Sequence, residues 1–147
     1  MIDGYDEIFA ARGREVVDRI IFEVARLLEG DLRTRDFVGR CRDDTFGAIL
    51  PETTAATANA LAVRLRLTIA SSCFGGLDDP VDLTVSVGVA NRAAESEKTP
   101  AELTDEARDK CYEANREGGN RVRGASINPG VRVGTAELSD PFEEGRY

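Results

Sequence analysis

Asp36-Phe37-Val38-Gly39-Arg40-Cys41-Arg42-Asp43-Asp44-Thr45-Phe46-Gly47-Ala48-Ile49-Leu50 is the stretch on which the fold turns. Two short runs of apolar and small residues, Asp36–Arg40 and Phe46–Leu50, flank the charged segment Cys41–Thr45, a pattern that predicts a two-stranded hairpin with a polar tip. Pro51 ends the second strand, because it cannot donate to a ladder. On the N-terminal side, Val17, Ile20, Ile21, Val24, Leu27 and Leu28 recur at steps of three and four. That spacing predicts an amphipathic helix over Val16–Leu28, with Gly30 as its stop signal. On the other side, Glu52–Ala70 is Ala-rich and reads as a helix capped by Thr53 or Thr54, with Leu61, Leu65 and Ile69 on one face.

Farther along, Ser71–Pro80 is a loop of Gly, Asp, Ser and Pro. Leu83–Ala90 alternates apolar with small residues and is the clearest strand of the chain. After a polar loop at Asn91–Thr99, Pro100–Asn115 reads as a third helix, its inner face formed by Leu103, Ala107, Cys111 and Ala114. Gly118-Gly119 stops it, and Arg121–Arg123 opens a final strand. The tail carries Gly, Pro and acids, with one strand-like run at Val131–Val133. Helix, hairpin, helix, strand, helix predicts an α+β sheet layered with helices, with Phe46 and Tyr112 filling the core.

Composition narrows the chemistry. The chain has 147 residues, a length that suits one domain, and a net charge of −8. It contains no histidine, which excludes serine–histidine triads and His-bearing zinc sites. Lys98 and Lys110 are the two lysines among 19 basic residues, so the rest are arginine, the planar fork suited to small anionic ligands. The acidic balance argues against a nucleic-acid coat. Cys41, Cys73 and Cys111 are odd in number and lack CxxC spacing, as expected of idle or buried thiols in a reducing cytosol. No stretch reaches the ~20 apolar residues of a membrane span, and the expected location is the cytoplasm.

With these motifs in this order, the chain resembles the GGDEF family of diguanylate cyclases. Asp31–Arg40 is similar to the lead into that family's signature hairpin, and Arg42-Asp43-Asp44-Thr45-Phe46 stands in the place of the signature. Leu83–Ala90 resembles the "TVSIGVA" strand. Ala107–Val122, ending Gly118-Gly119-Asn120-Arg121-Val122, resembles the closing "ALYxAKxxGRNRV" helix and turn. The resemblance covers residues 1–123 and leaves 124–147 as a partly ordered or flexible tail. It implies a palm-like α+β fold, helices on a mainly antiparallel sheet, with the first strand truncated. That vacant position would be filled by Val131–Val133 or by a strand of a second copy.

Family cyclases join two GTP molecules into cyclic di-GMP, and the same alignment implies that this chain does not. One metal-holding carboxylate falls on Met1; the second is kept as Asp44. The signature glycines are Arg42 and Asp43, and its glutamate is Thr45. The guanine-reading asparagine falls on Phe9, with its partner carboxylate kept as Asp18. The phosphate-neutralising lysine and arginine of the last helix fall on Asn115 and Gly119. These losses leave too little electrostatic stabilisation for phosphoryl transfer, so neither catalysis nor a bound metal or other cofactor is expected.

The family's inhibitory, product-binding Arg-x-x-Asp falls on Arg33-Thr34-Arg35-Asp36. Arg offers its fork to the O6/N7 edge of guanine, and Asp accepts from the N1/N2 edge. The resemblance adds Arg64 from the helix after the hairpin, and Arg35 and Arg40 add positive potential. The implied role is a cyclic di-GMP receptor holding an intercalated dimer of the nucleotide. Its nearest functional picture is the PopA type, which couples the ligand to polar localisation and cell-cycle control. Such a domain is expected to end a longer signalling chain and to recruit a protein partner, with a homodimer among the assemblies it allows. Arg-x-x-Asp is a short motif, and Arg40/Asp43 repeats it, so register alone selects Arg33/Asp36 over a plain surface ion pair. Two other readings stay open: an interaction or dimerisation module indifferent to cyclic di-GMP, and a domain with residual GTP binding.

Overall fold

The apolar repeat of the first helix governs the packing, and the computed structural model describes residues 1–127. Helix α1 spans Tyr5–Asp31 and breaks at Gly13, which takes φ 78° and ψ 177° inside it. It therefore starts eleven residues before the predicted Val16 and runs through Gly30, which is not its stop. Tyr5, Ile8 and Phe9 stand at three- and four-residue spacing, but Gly13 and the charged Arg12, Arg14 and Glu15 part them from the stripe that follows, and Leu32, extended at the C-cap, ends the helix. Val17, Ile20, Ile21 and Val24 are its buried residues.

The hairpin is β1 (Phe37–Arg42) and β2 (Thr45–Ile49), antiparallel, with Phe37 opposite Ile49, Arg40 opposite Phe46 and an irregularity between Arg40 and Arg42. Its tip is shorter than predicted, since Arg42 still pairs with Thr45 across Asp43-Asp44. Helix α2 (Ala55–Ala70) begins three residues after Glu52, where the Thr54 hydroxyl accepts from the Thr57 N–H. Ala58, Ala62 and Ile69 are buried on it, while Leu61 and Leu65 are half-buried. Only Ser86–Gly88 of the predicted Leu83–Ala90 strand forms β3, and Arg121–Arg123 forms β4 as predicted.

Between β3 and β4 runs α3 (Pro100–Arg116), started by a complete Thr99/Glu102 capping box. A helical crossover returns the chain in the same direction, so β3 and β4 pair in parallel rather than antiparallel. Gly88 is needed here because a Cβ would stand 1.9 Å from the Ala107 carbonyl oxygen of α3. The core joins Ile2, Val17, Ile20, Val24, Ile69, Phe74, Leu83 and Val85, with Phe46 packed against it. Tyr112 is half-buried and lies outside that cluster.

The expected vacancy in the sheet is partly filled by the chain's own start. Ile2 bridges Val85 in antiparallel fashion, its N–H donates to the Asp44 carbonyl at 2.8 Å, and the Asp3 N–H donates to the Thr84 carbonyl at 3.0 Å. Residues 1–3 thus link the hairpin tip to β3. The Val131–Val133 run lies outside the described residues. Cys41 and Cys73 are exposed and Cys111 is buried, all as free thiols. No helix among the described residues is long and apolar enough to cross a membrane.

Candidate functional site

The turn between α1 and β1 is folded by one carboxylate. Asp36 Oδ2 accepts the Arg33 backbone N–H at 2.8 Å, and the Asp36 N–H returns to the Arg33 carbonyl at 2.9 Å. The same carboxylate accepts from the Arg33 guanidinium, Nε to Oδ2 and Nη2 to Oδ1, both at 3.3 Å. Asp36's side chain is 1% exposed, whereas that of Arg33 is 44% exposed. Burial pushes the Asp36 carboxyl up, but the Arg33 N–H groups and the charges of Arg33 and Arg35 outweigh it and hold it below the usual range.

Three arginines meet around this turn. Arg33 Nη2 also donates to Thr53 Oγ1, Arg35 pairs with Glu52 at 2.9 Å, and Arg64 of α2 donates to the Asp31 carbonyl at 3.2 Å. Arg64 Nε also lies 3.6 Å from Asp31 Oδ2, a buried oxygen with no hydrogen bond. Arg33 and Asp36 meet within one turn, whereas Arg64 is distant in sequence and the fold brings it to Asp31, just ahead of that turn. Arg40 is not part of this cluster. Its guanidinium turns to the hairpin tip, donating to the carbonyls of Arg42 at 3.2 Å and Asp43 at 2.7 Å.

A groove of about 440 Å³ lies between α1 and the hairpin, lined by Ile21, Phe22, Ala25, Val38 and Phe46 together with Asp18, Glu29 and Arg40. Phe9, 43% exposed, stacks obliquely on Tyr5 with ring centroids 6.3 Å apart. At the tip, Asp44 Oδ1 accepts from the Thr45 hydroxyl at 2.8 Å. Among the described residues, no three His, Cys, Asp or Glu side chains cluster as a metal cage.

Sequence reasoning missed Asp3. Its Oδ1 accepts from Ser86 Oγ at 2.6 Å and Asn115 Nδ2 at 2.8 Å; its Oδ2 accepts from Thr84 Oγ1 and the Asn120 N–H, both at 2.8 Å. Burial works to raise this carboxyl, yet the four donors prevail and hold it below the usual range. A signal was present in the strand. Thr84 and Ser86, two apart, put hydroxyls on one face of an otherwise apolar run, and buried hydroxyls require a partner.

Residues 1–121 match the family described as diguanylate cyclase, GGDEF domain. The chain belongs to the GGDEF family. This GGDEF domain is 30% identical over 125 residues to the response regulator PleD of Caulobacter vibrioides, covering 84% of this chain and 27% of that protein. It is 33% identical over 123 residues to the diguanylate cyclase DgcM of Escherichia coli, covering 84% of this chain and 29% of the relative. The chain thus spans under a third of the length of either relative. Its fold matches that of the GGDEF domain of DgcB from Caulobacter crescentus, solved in complex with c-di-GMP. The TM-score is 0.76 at 23% identity, over 84% of this chain and 72% of that one. The palm-like α+β fold of the family is therefore the fold of this GGDEF domain.

Proposed function

We propose that this GGDEF domain is a non-catalytic receptor for cyclic di-GMP, which it binds through Arg33, Asp36, Arg35 and Arg64. The observation that carries the reading is the convergence of those side chains on one turn, with the Arg33 guanidinium already braced in plane by Asp36. Arg33, Arg35 and Arg64 are each more than two-fifths exposed; Arg35 is held by the exposed Glu52, Arg33 by the buried carboxylate of Asp36, and Arg64 by Asp31. The Arg35–Glu52 contact is weak and exchangeable in water, and the exposed parts of the Arg33 and Arg64 guanidiniums face solvent, where phosphates and guanine edges can reach them. Arg40 contributes potential from the hairpin tip without direct contact.

What supports the absence of catalysis is a second set of residues, Met1, Asp3 and Asp44. A divalent ion on a triphosphate needs hard oxygen ligands in number. Met1 offers a thioether, Asp44 has one oxygen engaged by Thr45, and both oxygens of Asp3 are taken by four donors. The residues present do not fit such an ion, and we derive no reaction step through one. Phe9, Asn115 and Gly119 supply neither a base reader nor a phosphate cation.

Relay to a protein partner is supported by the cross-strand pair Phe37 and Ile49, which are 65% and 68% exposed beside the Arg33–Asp36 turn. We place this signalling in the cytoplasm. Calorimetric titration of cyclic di-GMP into the domain and into Arg33→Ala, with GTP plus magnesium as control, tests the reading. Micromolar or tighter binding is expected, lost in the variant, with GTP silent. Cyclic di-GMP binding unchanged in Arg33→Ala, or turnover of GTP, would overturn it.

A further inference from the structure

The turn that closes α3 is built as an anion cradle, and the chain fills it with a carboxylate of its own. Gly118, Gly119 and Asn120 take φ of 112°, 71° and 46°, a run of positive φ that turns the Asn120 N–H inward. The other three donors are the hydroxyls of Thr84 and Ser86 and the amide of Asn115. All four are neutral, and Asp3 has no lysine or arginine partner among the described ion pairs. Ser86 is fully buried, so its hydroxyl depends on this carboxylate. Space is equally committed. A Cβ on Gly119 would stand 2.7 Å from Asp3 Oδ2 and 2.8 Å from its Cγ, closer than real Cβ atoms approach.

We propose that this cradle is an oxyanion site occupied by Asp3 as a tethered ligand, which pins residues 1–3 to β3 and α3 and excludes free anions from the end of α3. The donors come from three separate segments and outlast the carboxylate. When the carboxylate is removed, they face an opening that fits a small free carboxylate. The side chain allowed at position 119 is set by the same anion, so positions 3 and 119 are energetically coupled. The cradle shares no residue with the Arg33–Asp36 turn, and its behaviour does not depend on what that turn binds.

The experiment is thermal unfolding of the wild-type chain, Asp3→Ala and Asp3→Asn at neutral pH. Sodium formate is titrated against sodium chloride at constant ionic strength. Asp3→Ala is expected to melt about 5 °C or more below wild type, from the loss of four hydrogen bonds in a domain of this size. Formate restores at least half of that loss saturably, while wild type and Asp3→Asn, whose cradles are filled, do not respond. Restoration by chloride equal to that by formate, or no restoration at all, would overturn the proposal. If Asp3→Ala folds only in formate, that also supports it; if it folds in neither salt, the cradle does not accept a free anion and the proposal fails. In a second arm, Gly119→Ala is introduced with and without Asp3→Ala. The backbone strain at 119 is common to both backgrounds, so a smaller Tm loss without Asp3 supports the shared space, and equal losses refute it.

Discussion

Two carboxylates, Asp36 and Asp3, anchor separate parts of this domain and are held by different chemistry. Asp36 faces a guanidinium that is 44% exposed, and of its neighbours Arg35 rests on the exposed Glu52 and Arg64 on Asp31. Asp3 faces four neutral donors and no cation. The first arrangement leaves charge that an incoming anion can engage. The second consumes every lone-pair direction internally and leaves nothing for a ligand. We propose that the first carboxylate serves a ligand site and the second the fold, a difference set by the donors each one faces.

The comparison breaks most visibly at Arg33. Arg33→Ala removes the fork and leaves Asp36 uncompensated, and a loss of roughly 100-fold or more in cyclic di-GMP affinity is expected by calorimetry. A loss under a few-fold would make the pair an ordinary surface bridge and erase the contrast with Asp3. At the second carboxylate, Asp3→Asn keeps the shape but turns two acceptor positions into donors against donors. It should cost about 2 kcal/mol in urea unfolding while leaving ligand affinity unchanged.

Acid sharpens the same contrast. The Asp3 carboxyl is depressed below its ordinary 3.8, so it contributes stability that is fully present above that value and is lost as pH falls through the lower folded one. Wild type should therefore lose stability below about pH 4 more steeply than Asp3→Asn, as read from urea midpoints against pH. Asp36, Glu102, Glu106 and Glu117 are also depressed and supply the acid dependence that remains in the variant. Parallel curves for the two proteins would remove Asp3 from the account. Arg64→Ala should weaken cyclic di-GMP about five- to tenfold, because Arg64 offers one peripheral charged contact. Thr53→Val, which removes one brace on the Arg33 fork, should weaken it about two- to threefold, the smallest effect of the set.

Much of this was legible because it is local. Alternation and a charged tip specify the 37–49 hairpin, three- and four-residue spacing specifies the buried half of α1, and Thr99-Pro100 with Glu102 writes the start of α3 into the chain. Register also found Arg33 and Asp36, three residues apart, since their pairing closes within one turn. The first half of α1 was not legible. Its few apolar residues are cut off from the main stripe by Gly13 and the charges around it, and tertiary contact of Tyr5 and Ile8 with the core sustains it.

The sequence by itself determined the element order, the Arg-x-x-Asp turn and the residues at positions 1, 9, 42, 43, 115 and 119 on which the proposed absence of catalysis rests. The tertiary structure decided which distant groups meet. It placed Arg64 beside the turn, sent Arg40 to the hairpin tip, and gathered Thr84, Ser86, Asn115 and Asn120 on Asp3. The reason is one of range. Propensity and periodicity act over a few residues, whereas a buried carboxylate is satisfied by whatever donors the packed core brings to it, here from more than eighty positions away.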